Sequence, residues 1–214
     1  MNKRRKKLPV ILEVEEVQKI LNIPNKRYLT GLRNKVILNL MWNMGLRVSE
    51  VVNLRPGDVN ITNRKLRILN GKGGVDRDIT IPEGLIYLLK EWKDRRPVSD
   101  YFICNIKTRQ ANYDIETRNG RVLKPTSRKG DKISIRTIQI MLRDYSKRAG
   151  IDYKKVTPHI LRHSFATEWI RQNKSIVVLK EILGHSDIST TQIYVTLATK
   201  DIEEAMNGYE IKAI

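Results

Sequence analysis

Thr157-Pro158-His159-Ile160-Leu161-Arg162-His163-Ser164-Phe165-Ala166 is the stretch from which the rest of the chain is best read. Threonine is a good N-cap and proline suits the first helical position, so the spacing predicts a helix over 158–171. In that helix His159, Arg162 and His163 stand at i, i+3 and i+4 on one face, while Leu161, Phe165 and Trp169 point toward a core. A guanidinium beside two imidazoles offers a planar fork of donors and two proton-transferring rings, a set suited to phosphate. The plain alternatives are packing histidines and a salt-bridged arginine. A zinc site is disfavoured: Arg162 lies between the histidines of the H-x-x-x-H spacing, and no glutamate follows the first.

Downstream, Leu183-Gly184-His185 reads as a helix end with a second-motif histidine just past it. A new helix, capped by Asp187 or Ser189, then brings in Tyr194, a residue that elsewhere is most often half-buried packing. Helices are also predicted at 13–22, at 31–44 with Leu32, Val36, Ile37, Leu40, Met41 and Met44 on one broad face, at 48–54, 84–95, 134–149, 176–183 and 200–207. Between them 58–61, 65–69 and 76–81 alternate and are punctuated by Asn63 and by Asn70-Gly71-Lys72-Gly73-Gly74. These three segments fit one small antiparallel sheet with Lys72 at a glycine-rich tip, and 101–103 adds a short extended piece. The fold class is α+β, mostly helical, with a small three-stranded antiparallel sheet.

The 214 residues suffice for one compact domain. The 41 Lys and Arg against 23 Asp and Glu leave a formal charge of +18, which calls for a polyanionic partner, nucleic acid first. No apolar run is long enough to span a bilayer, and the basic start Lys3-Arg4-Arg5-Lys6-Lys7 is followed by acidic residues in place of an apolar signal core. With a single cysteine, Cys104, there is no internal disulfide framework, and the expected setting is a reducing cytoplasm, in association with the nucleoid.

Arg47 in Gly-Leu-Arg-Val-Ser-Glu, Lys72 in Asn-Gly-Lys-Gly-Gly, His159 and Arg162 in His-Ile-Leu-Arg-His, His185 in Leu-Gly-His, and Tyr194 occur together in an order and spacing that resemble the tyrosine recombinase (phage integrase) family, Xer-like members included. The similarity runs from about Leu8 to Met206, the family's catalytic domain. One such motif is weak; six in order are specific. Metal-free phosphodiester cleavage needs a nucleophile, cations on the non-bridging oxygens and a proton for the leaving group. By resemblance Tyr194 is the nucleophile that forms a 3′-phosphotyrosyl bond, Arg47 and Arg162 clamp the phosphate, and Lys72 protonates the leaving 5′-oxygen. His159 acts as general base or acid, and His185 hydrogen-bonds the phosphate. Glu50 orients Arg47, and His163 is a supporting residue. Lys65 and Arg77 are other basic candidates near Lys72, and Val75 departs from a position often basic in relatives. The resemblance implies neither metal, cofactor nor ATP.

Double-stranded DNA is the expected partner. Candidate contacts are Lys3, Arg4, Arg5, Lys6 and Lys7 in a basic arm over 1–12. Arg128, Lys129 and Lys132 belong to the stretch 104–136, where nine basic residues face Asp114, Glu116 and Asp131. Arg136 and Gln139 are possible base readers. The segment 199–214 is acidic and amphipathic, and by resemblance docks on a neighbouring protomer in a tetramer on DNA. The whole of 1–214 then reads as a single catalytic domain without the helical core-binding domain that precedes it in relatives, either a naturally minimal recombinase or a fragment. Two other functions fit the same fold: a catalytically idle DNA-binding regulator, or type IB topoisomerase-like relaxation.

Overall fold

The structure, a computed structural model, describes residues 10–69, 76–106, 130–185, 187, 191–196, 198 and 199. Helices α1 (Val14–Asn22), α2 (Leu29–Asn43) and α3 (Val48–Asn53) lead into strands β1 (Val59–Asn60), β2 (Lys65–Ile68) and β3 (Arg77–Thr80). Then follow α4 (Glu83–Arg95), α5 (Ile135–Arg148), α6 (Pro158–Arg171) and α7 (Ile176–Leu183), and residues 191–196 are helical. The strands form an antiparallel sheet in the order β1-β2-β3, with Leu66 opposite Val59 on one side and Ile79 on the other. The mostly helical class with one small sheet is as the sequence pattern implies.

The helix expected at 31–44 departs from its pattern. Its spacing implies one broad apolar face, but α2 is enclosed on nearly all sides and packs on α1, α3, α4 and α6. Leu32, Val36, Ile37, Leu38, Leu40 and Met41 are completely buried. Even its polar Arg33 and Asn34 are inside: Arg33 donates to the Asn34 Oδ1 (2.9 and 3.0 Å) and to the Cys104 carbonyl (3.3 Å), and Asn34 Nδ2 donates to the Tyr145 hydroxyl (2.7 Å). Those bonds offset the desolvation that would otherwise exclude an arginine from a core. Residues 101–103 join no strand. They are tied to helices instead, with the Phe102 amide donating to the Leu54 carbonyl (2.6 Å) and the Trp92 indole to the Phe102 carbonyl (2.9 Å).

Helix α6 begins as its sequence dictates, the Thr157 hydroxyl accepting from the Ile160 amide (3.2 Å) with Pro158 at the first turn. It lies across α2, and the crossing is made close by Gly45, which ends α2 at φ +60. A methyl group there would lie 2.5 Å from the Phe165 ring. Gly45→Ala therefore combines a left-handed backbone with a clash, and urea unfolding should show a loss of about 2–4 kcal/mol. Among the described residues no helix is long and apolar enough to cross a membrane.

Candidate active site

Three arginines converge where the end of α2, the start of α3, β3 and the end of α7 meet. Arg47 is the N-cap of α3, and Glu50 in the first turn accepts both its amide (2.8 Å, Oε2) and its guanidinium (3.0 Å, Oε1). A single carboxylate therefore fixes the loop that carries Arg47. Glu50, 8% exposed, is also held end-on by Arg77, whose Nη1 and Nη2 donate to Oε1 and Oε2 at 3.0 Å each. Burial alone would raise this carboxyl, but the hydrogen bonds and charge of Arg77, with help from Arg47 and Arg162, hold it below the usual carboxylate range.

Arg162 is 3% exposed and donates to the carbonyls of Gly45 and Leu183, both at 2.6 Å. These acceptors lie at helix ends: Gly45 follows α2, and Leu183 is the last residue of α7, where unpaired carbonyls carry partial negative charge. Glu50 stands 3.8 Å from the Arg162 guanidinium. Desolvation and the nearby Arg47 lower the Arg162 pKa to about 10 despite the pull of Glu50, the mark of cations packed together in a poorly hydrated place. Three guanidiniums around one carboxylate leave the cluster net positive. An oxyanion is the charge that completes it.

His185 follows Gly184, which closes α7 in the left-handed conformation. Its Nε2 is 3.4 Å from Arg162 Nη2 and its Nδ1 is 3.0 Å from the Thr191 hydroxyl. Arg162 can only donate, so Nε2 accepts and Nδ1 carries the proton toward Thr191. Burial, then Arg162 and Arg47, lower the His185 pKa to about 4. Tyr194, on the helical turn that follows, is 2% exposed, its ring near-parallel to that of His185 (6.5 Å between centroids, 18°) and tilted on His163 (5.5 Å, 49°). Burial pushes its phenol pKa up, while Arg162 and Arg47 pull the other way. His159 is exposed and meets His163 edge to face at 4.1 Å.

Arg47, Glu50, Arg162, His185, Tyr194, His163 and His159 are thus brought together from stretches far apart in sequence. His163 packs on both the tyrosine ring and His159. Its Nδ1 is buried and has no hydrogen-bond partner among the described residues, and burial, His159 and Arg162 depress its pKa to about 4. Arg77 is the member whose place spacing did not show; its basic character near Lys72 was the only sign. Thr191, buried behind His185, gave no sequence signal. Lys72 lies outside the described residues, as do Lys3, Arg4, Arg5, Lys6, Lys7, Arg128, Lys129 and the segment 200–214. No group of three metal-ligating side chains occurs among the described residues.

Two open cavities lie in this part of the fold, one bordering the cluster and one at the start of α6. One of about 480 Å³ runs from Arg47 and Glu50 past Asn53, Arg55 and Arg67 to Tyr101. Lys132 is exposed at its rim, donating to Asn53 Oδ1 with its ammonium 5.4 Å from the Tyr101 ring centre. The other, about 380 Å³, is lined by Arg136, Gln139, Arg143 and Lys154 and reaches Thr157 and Pro158, where the histidine helix begins. The candidate readers Arg136 and Gln139 are on α5 along that wall.

His163 and His185 also set a pH response. Their folded-state values near 4 lie below the ordinary 6.5, so between those values the unfolded chain binds more protons and stability falls as the solution is acidified. Calorimetry should show Tm declining from about pH 6.5 toward 4, and the decline should shrink in His163→Asn and His185→Asn. An unchanged slope in both variants would remove these rings as its source.

The phage integrase family matches residues 11–201. The tyrosine recombinase XerA of Pyrococcus horikoshii is 37% identical over 202 residues, covering 94% of this chain and 61% of that protein. The crystal structure of XerA recombinase superposes with a TM-score of 0.70 at 26% identity, over 98% of this chain and 68% of the other. XerH site-specific recombinase, bound to palindromic difH substrate in a post-cleavage complex, gives 0.72 at 26% identity, over 98% and 56%. The chain spans about three fifths of the length of the curated relatives it matches. The match over 11–201, at 37% identity to a tyrosine recombinase and in the same fold, places this chain in the phage integrase family.

Proposed function

We propose that this chain cuts and rejoins DNA at specific sites through a 3′-phosphotyrosyl intermediate. The observation that carries the reading is the net-positive cluster of half-buried Arg47 with Arg77 and Arg162 around buried Glu50, with the Tyr194 ring packed beside it. Its family supports the same reading, as does the capture of XerH on its DNA after cleavage.

In the proposed reaction the scissile phosphate enters against Arg47, Arg162 and His185, which supply the charge-assisted donors that its non-bridging oxygens need as charge builds in the transition state. The Tyr194 oxygen attacks phosphorus, the bond to the 5′-oxygen breaks, and the phenol proton passes to a base of the His159 and His163 pair. Lys72 gives the leaving 5′-oxygen its proton. A 5′-hydroxyl of another strand reverses these steps, and one phosphodiester replaces another, so no external energy source is required. Arrival of an anion also reverses the field at His185, favouring its protonated form, whose Nε2–H then donates to the phosphate.

Duplex DNA lies along the two cavities, with Lys132, Arg136 and Gln139 among its contacts and the basic arm Lys3–Lys7, Arg128 and Lys129 adding phosphate neutralisation. The protein acts as a tetramer on DNA joined through 199–214, and its setting is the nucleoid. The test works without choosing a DNA site in advance. Fragmented DNA of the source genome is incubated with protein, denatured in detergent, and the protein-linked fragments are sequenced. A shared inverted repeat with protein on the 3′ side is expected; absence of covalent adducts at any locus would overturn the reading.

A further inference from the structure

Arg77 is not among the phosphate-binding residues of the proposed reaction, yet it is firmly anchored in the site. Its side chain is 7% exposed, and three of its donors are placed: Nη1 and Nη2 on the two oxygens of Glu50 at 3.0 Å, and Nε on the Ile182 carbonyl at 2.8 Å. It therefore joins the first residue of β3 to the helix that carries Arg47 and to the last turn of α7, two residues before Gly184 and three before His185. Gly184 packs directly on it: a Cβ there would lie 2.9 Å from Nη1.

The competition for Glu50 gives this anchoring a chemical consequence. Arg162 sits only 3.8 Å from the same carboxylate, and Arg47 already touches it. A carboxylate buried among guanidiniums pairs with whichever is available, and a bidentate pair with Arg162 or Arg47 would occupy the donors an incoming oxyanion needs. Arg77 takes both oxygens in the fork geometry that only arginine offers.

We propose that Arg77 is a positioning residue of the anion site: by holding both oxygens of Glu50 and the carbonyl of Ile182, it keeps Glu50 from closing on Arg162 and confines its bond with the Arg47 guanidinium to Nη1, leaving the remaining donors open for an oxyanion. It touches neither substrate nor reacting atoms. The inference rests on the phosphate-binding part of the proposed function.

The test uses inorganic phosphate, so that it does not depend on DNA cleavage. Phosphate is titrated into the protein while the His185 ring signals are followed by NMR, with thermal melting run alongside. Wild type is expected to bind. Arg77→Gln should weaken phosphate by about tenfold or more, because Glu50 then closes on Arg162. Adding Glu50→Gln to that variant should restore most of the affinity, since the competing charge is gone. A scaffold role alone would lower Tm without this rescue of anion affinity. If Arg77→Gln does not fold, Arg77→Lys is read in the same way: it keeps the charge, lacks the fork, and should weaken phosphate to a smaller extent. Wild-type affinity in whichever Arg77 variant folds, or no rescue by Glu50→Gln, overturns the role of Arg77. Failure of wild type to bind phosphate at all overturns the anion site itself, and with it both proposals.

Discussion

Tyr194→Phe is expected to lower formation of the covalent protein–DNA adduct by at least about ten-thousandfold, while DNA affinity and Tm stay close to wild type. The phenyl ring preserves the packing on His163 and His185 and removes only the nucleophilic oxygen. A gel-shift assay and a detergent-resistant adduct assay on the same preparations separate the two effects. Retained adduct formation would mean that another hydroxyl attacks the phosphate. Lost binding together with lost adduct would mean that the variant says nothing specific about chemistry, which the isosteric ring is chosen to avoid.

Arg162→Ala should change both stability and rate. Its guanidinium satisfies the Gly45 and Leu183 carbonyls and offsets Glu50, so its loss leaves buried acceptors and a less compensated carboxylate. A stability loss of about 3–5 kcal/mol is expected in urea unfolding. Below the melting temperature, the cleavage rate should still fall by about a thousandfold, the usual effect of deleting a donor aimed at developing negative charge. Arg162→Lys separates the effects, since the charge remains but one ammonium cannot reach two carbonyls 2.6 Å from separate nitrogens and an anion as well. It should recover part of the stability and little of the rate. Equal recovery of both would argue that Arg162 acts through folding alone.

Local signals accounted for much of this architecture. The Thr157 cap, Pro158 and Gly184 mark helix ends by chemistry that lies within a few residues, and they stand where that chemistry puts them. The three strands followed from alternation and their turn residues, and the pairing of Glu50 with Arg47 from the family resemblance. Long-range facts were hidden. Arg77 meets Glu50 across 27 positions and Ile182 across 105, so nothing in its neighbours announces a hub. Periodicity also understated α2, because apolar spacing records one face, whereas the other faces are covered by elements distant in sequence. His159 and His163 share a helix face, and the packing of His163 on Tyr194 depends on a residue 31 positions away. The roles assigned to Lys72, to the basic arm and to 199–214 rest on sequence and resemblance, since Lys72, 1–9 and 200–214 lie outside the described residues.

Whether Tyr194 is the nucleophile is read most directly from the chemical identity of the protein–DNA bond. Tryptic cleavage after Lys180 and Lys200 releases residues 181–200, a peptide with Tyr194 as its one tyrosine and with Ser186, Ser189, Thr190, Thr191, Thr196 and Thr199 as competing hydroxyls. The adduct trapped on genomic DNA is digested with trypsin and nuclease and sequenced by tandem mass spectrometry. A nucleotide joined by its 3′-phosphate to Tyr194 is the expected product. A nucleotide on a serine or threonine, or one joined through its 5′-phosphate, would contradict the proposed chemistry.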